Sequence, residues 1–125
     1  MNYYKQAGFS VVELMIVVAI VAILAGFSLK YLDFARKRAV CAEVETAAHE
    51  TLLEAVKYTA QYNTAPPANA TLLGVNLPAH VASIKIGGGG SSSAPITVNG
   101  TAVNNECSLG HKYILVEGST KGTWQ

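Results

Sequence analysis

Charge is scarce in this chain. Charged residues make up 14% of its 125 residues, and Asp33 is the sole aspartate; a soluble globular domain ordinarily carries about a quarter. Neither sign dominates: 9 Lys+Arg face 8 Asp+Glu, a net charge of +1. That balance gives no phosphate-coating surface, so nucleic acid is not indicated as a partner. Two cysteines are too few for a disulfide scaffold. His49, His80 and His111 each stand alone, without a second ligand at metal spacing. The run Gly87–Gly90 lacks the Gly-Lys-Ser/Thr that would make it a phosphate cradle. No nucleophile motif or pair of catalytic carboxylates stands out. The expectation is therefore a single domain that is not an enzyme, with no metal and no cofactor.

What the chain has instead is apolar surface, 50% of its residues, and much of it is concentrated in one place. Phe9 to Leu29 reads FSVVELMIVVAIVAILAGFSL, with Glu13 as its one charge. As a helix these residues rise about 31 Å, which matches a hydrocarbon core of ~30 Å. A secretory signal has a shorter apolar region, about 7–15 residues, and ends at a cleavage site. Here helix formers continue past the run, which predicts a membrane-spanning helix retained in the mature protein. Its orientation is ambiguous. Lys5 precedes the span and Lys30, Arg36, Lys37 and Arg38 follow it, which by charge alone puts the C-terminus in the cytoplasm. The Gly/Ser-rich C-terminal region with its cysteines looks instead like an exported domain.

Glu13 is the informative residue of the span. An acid at a helix centre in lipid costs roughly 2.5–3.5 kcal/mol on insertion scales. Either Glu13 snorkels to the headgroups from its position near one end, or a positive group meets it inside the membrane or an assembly.

The order of features around it resembles the type III signal of type IV prepilins. Lys5-Gln6-Ala7-Gly8-Phe9-Ser10-Val11-Val12-Glu13-Leu14 has a short basic leader, a glycine before a phenylalanine, and a glutamate five residues into the mature chain. The apolar MIVVAIVAILAG follows directly. The resemblance implies that a prepilin peptidase cuts between Gly8 and Phe9 and that the new Phe9 amine is methylated. It implies that Glu13 pairs with that amine on a neighbouring subunit, which relieves two buried charges at once. It also implies a C-terminus in the periplasm. The expected partners are other copies of the chain through their N-terminal helices, the peptidase, the inner-membrane assembly platform, and the membrane itself before assembly. Many relatives carry a proline where this chain has Lys30, so a straighter helix is expected here, with Gly26 its weak point at ~1 kcal/mol relative to alanine. Many also carry two C-terminal cysteines, where this chain has one.

Beyond the span, Tyr31 to Asn63 contains neither proline nor glycine. Val40, Val44, Ala47, Ala48, Thr51, Leu52, Ala55, Thr59 and Tyr62 recur at three- and four-residue steps and mark a buried stripe. Glu43, Glu45, Glu50, Glu54 and Lys57 read as the solvated face. Arg36, Lys37 and Arg38 read as a headgroup anchor or as a contact with the acidic run of a displaced neighbour. Pro66-Pro67 closes the helix. After it, Ala82, Ile84 and Ile86 alternate with Ser83 and Lys85 as a strand. Leu72 to Pro78 reads as a connecting loop and Gly87–Ser93 as a flexible one. Asn99-Gly100, between Pro95–Val98 and Thr101–Val103, carries the strongest short hairpin signal. Lys112–Glu117 reads as a central strand, with Thr123-Trp124 finishing the sheet. Cys41 and Cys107 allow two readings: a bridge fastening helix to sheet, worth ~4 kcal/mol in the loop-entropy model, or two unrelated buried thiols.

The fold expected is α+β: a long N-terminal helix, transmembrane in its first half and amphipathic in its second, packed on a small antiparallel sheet of about four strands. The segments are a leader at 1–8, an assembly helix at 9–30, the amphipathic half at 31–63 and an exported head at 64–125. The function expected is a structural subunit of a type IV pilus, held in the inner membrane and then polymerised on the cell surface for adhesion, twitching motility or DNA uptake. A pseudopilin of a type II secretion or competence system, and a single-span binding protein, are the alternatives.

Overall fold

The structure, a computed structural model, describes residues 8–89 and 94–125. The expected leader, apart from Gly8, and the tip of the Gly/Ser loop at 90–93 lie outside the described residues. The chain is α+β: one long helix, α1 (Val11–Tyr62), and a four-stranded antiparallel sheet. The strands are β1 (Val81–Gly87), β2 (Thr97–Ala102), β3 (Lys112–Val116) and β4 (Thr123–Trp124), neighbours in chain order. Two compact units divide the chain, one ending at Ala35 and the other running Arg36–Gln125.

In the first unit α1 runs helical through both Gly26 and Lys30. Its residues there are mostly aliphatic and no proline interrupts them, so every backbone donor past the first turn keeps its i−4 acceptor. All described residues from 8 to 39 are exposed.

In the second unit α1 lays a narrow stripe on the sheet. Val40, Cys41, Val44, Ala47, Ala48, Thr51 and Ala55 are buried, at the spacing the sequence predicts. The stripe ends sooner than expected: Thr59 is half-buried and Tyr62 is exposed. Asn63 then takes a left-handed conformation (φ 51°) and donates its N–H to the Thr59 carbonyl at 2.9 Å, which ends the helix before the prolines. The expected loop at 72–78 begins with a short 3-10 turn, Ala70–Leu73, closed by Gly74 in the left-handed region.

Two strand expectations are corrected. Ala82 is exposed, not inward, because the register slips between Val81 and Ser83: a bulge puts Val81 with Ile84 and Ile86 on the core face. Asn99-Gly100 is no turn. It lies inside β2, where Asn99 pairs with Lys85 and Ile114, and Gly100 with Ile84 and Tyr113. A Cβ on Gly100 would stand 2.9 Å from Val44 Cγ1, so the glycine serves the close approach of helix to sheet. The β1–β2 reversal is made instead by the glycine run. Gly88 and Gly89 have positive φ, Gly89 is buried, and its N–H donates to the Ala94 carbonyl at 3.1 Å.

The sheet supplies the large core side chains Ile84, Ile86, Val98, Tyr113 and Leu115, joined by Ile96 just before β2, all under 8% exposed. The Tyr113 hydroxyl accepts the Gly122 N–H at 2.8 Å, and its ring lies 5.1 Å from that of Trp124. Large residues on the sheet and alanines on the helix fill one layer between them.

Candidate functional site

The N-terminal segment is built by the start of α1. Gly8, Phe9 and Ser10 precede the helix, and the Ser10 carbonyl accepts the Leu14 N–H at 3.1 Å, closing the first turn. Glu13 lies in that first turn and is exposed, as Phe9 is. An acid there is favoured by the helix dipole, a gain of about 0.3–1 kcal/mol. An acid at the centre of a helix in lipid would cost roughly 2.5–3.5 kcal/mol, and Glu13 lies near the end. The apolar residues that follow are exposed too, Leu14 at 60% and Leu24 at 63%. A run of exposed apolar side chains this long marks a surface made for lipid or for other protein. By length and composition α1 can cross a membrane.

Arg36, Lys37 and Arg38, the first residues of the second unit, are all exposed. Five positions after Arg36, Cys41 is bonded to Cys107 with their Cα atoms 4.9 Å apart, and both are buried. The reading of two unrelated thiols is thereby set aside. The bond ties α1 to the β2–β3 connection. A second tie sits across the stripe, where the Trp124 indole Nε1–H donates to Glu45 Oε1 at 2.9 Å. Glu45 is therefore not part of a purely solvated face, as its position among other acids suggested. Nothing in the sequence signals that contact across 79 positions, which needs the C-terminal strand to return alongside the helix. Glu43 is also partly covered, with a buried Oε2. Glu54 pairs with Lys57, and Glu50 is exposed.

The three histidines are not brought together. His80 Nδ1 lies 3.5 Å from Glu106 Oε2, and no group of three His, Cys, Asp or Glu side chains among the described residues could hold a metal. A groove of about 460 Å³ lies between the last turns of α1 and the 3-10 turn, lined by Glu50, Leu53, Glu54, Lys57, Leu73 and Val75.

Residues 3–29 match the prokaryotic N-terminal methylation motif, the type IV prepilin-like signal. No curated protein and no solved structure matches the chain. The motif covers Gly8, Phe9, Glu13 and the whole apolar run to Leu29, and its described residues are all exposed. It supports a pilin- or pseudopilin-like protein and points to a structural subunit rather than an enzyme.

Proposed function

We propose that this type IV pilin-like chain is a structural subunit of a type IV pilus. It is stored in the inner membrane by its N-terminal helix, with the second unit in the periplasm, and then polymerised into a surface filament. The observation that carries the reading is the methylation motif lying on a segment whose described residues, apolar ones included, are all exposed. Prepilin peptidase cuts between Gly8 and Phe9 and leaves an amine at Phe9 that stays protonated when mono-methylated. In the filament that amine meets Glu13 of a neighbouring copy. Each charge alone would be costly away from water, and together they neutralise one another. A wrongly stacked copy leaves Glu13 unpaired, so the pair sets register as well as affinity. The Arg36–Arg38 cluster holds the helix at the headgroups before assembly.

The test is made in cells producing the chain. Intact mass should show loss of Met1–Gly8 and one methyl group on Phe9, and shearing should release fibres. Glu13→Ala should abolish the fibres while the cleaved chain remains in the membrane, and Gly8→Val should block cleavage. Short periplasmic filaments with no surface fibres would place the chain among pseudopilins. Membrane binding and ligand capture unaffected by either substitution would mark a single-span binding protein and overturn the proposal.

A further inference from the structure

Outside α1 the described chain exposes few large apolar side chains, and two of its features complement each other. The first is a knob. Leu109, in the β2–β3 connection, is 54% exposed, and His111 and Lys112 follow it, both exposed. From Cys107 to Val116 the chain carries no acid, and the nearby Glu106 faces His80. The second is the groove further along α1 in the same unit. Leu53, which is exposed, lines it with Leu73 and Val75, beside the polar Glu50, Glu54 and Asn76, and Lys57 is paired to Glu54. Glu50 makes no hydrogen bond or ion pair among the described residues, so its charge is available.

The placement of the two features matters as much as their chemistry. Cys107 is bonded to Cys41, which fixes the knob near the start of the helical stripe. Glu50 and Glu54 lie nine and thirteen residues further along α1, roughly 14–20 Å up its axis at 1.5 Å per residue. Knob and groove thus lie at different levels along α1 within one unit. Copies inserted in a membrane by the same N-terminal segment are parallel. Two parallel copies at one level do not bring knob to groove, but a copy shifted along the axis brings its knob to its neighbour's groove. Such a contact between different patches does not close on itself and repeats without limit.

We propose that the Leu109–Lys112 segment of one copy docks in the Glu50–Val75 groove of the next. Leu109 packs on Leu53, Leu73 and Val75, and Lys112 faces Glu50. The occupant is a second copy of this chain, and the inference rests on the filament reading above. The contact is too small to hold subunits together alone, so it selects the axial offset while the N-terminal helices supply most of the buried area.

The experiment uses the full chain in cells. A photo-crosslinking amino acid at position 109 should give a ladder of linked oligomers, with the crosslinked peptide falling within residues 50–57 or 73–76. Leu109→Asp and Glu50→Lys should each reduce sheared fibres about tenfold or more, the loss of one central contact. Glu50→Lys combined with Lys112→Glu should restore them. All three positions are exposed, and an unchanged melting temperature will separate lost docking from lost folding. Fibres at the unsubstituted level in both single variants, or crosslinks that map elsewhere, overturn the docking while leaving the filament intact. An unsubstituted chain that forms no fibres fails the filament reading instead.

Discussion

Gly100 and Val44 illustrate how a single position can carry two signals. Asn99-Gly100 has the composition of a tight turn, yet its use is the absence of a side chain opposite Val44, whose Cγ1 would lie 2.9 Å from an added Cβ. Gly100→Ala should therefore destabilise the second unit by about 1–3 kcal/mol, the range for overpacking a filled core. Pairing it with Val44→Ala should recover part of that loss in a urea-unfolding cycle. If the two effects simply add, the contact does not govern the site. Trp124 offers a separate measurement. Trp124→Phe keeps most of the ring packing on Tyr113 but removes the donor to Glu45, and should cost about 1.5–3 kcal/mol as a bond to a charged acceptor. Glu13 behaves differently from both, because it has no partner among the described residues. Its substitution should leave the unfolding midpoint of the second unit unchanged and alter assembly alone.

At the scale of elements, α1 was readable almost throughout. Its apolar run, its stripe at three- and four-residue steps and its stop before Pro66 all follow from local chemistry. Gly26 does not interrupt it, and a Cβ there meets nothing within 4 Å. Gly26→Ala should raise helix stability by up to about 1 kcal/mol, seen as higher helical ellipticity on heating in detergent. The strands were less readable. β2 was divided in two by its Asn-Gly, and β1 was read without its bulge, because register and inter-element distance are not properties of a short run. The Cys41–Cys107 bond joins these two kinds of element. Cys41→Ala with Cys107→Ala should lower stability by roughly 2–4 kcal/mol, measured as a fall in the urea midpoint. A smaller loss would mean that helix and sheet hold together by packing alone.

At the scale of the whole molecule, the chain divides its work between two units. The first buries none of its described residues within the chain, and the second closes a core of its own. It follows that the second unit should keep a cooperative unfolding transition in detergents that differ widely in how they solvate the first. Calorimetry across such detergents tests this, and a transition that shifts with micelle type would show that the units are energetically coupled.

Sequence by itself determined the helix, the apolar span, the lone acid within it and the prepilin-like order of Gly8, Phe9 and Glu13. Each of these rests on residues that are neighbours in the chain or lie a few helical turns apart. Only the tertiary structure decided that Cys41 meets Cys107, that Glu45 receives Trp124, that Gly100 belongs to a strand and that a groove forms between Glu50 and Val75. Those facts depend on which distant segments come side by side. That is settled by how a whole core fills its volume, and no local pattern of residues contains it.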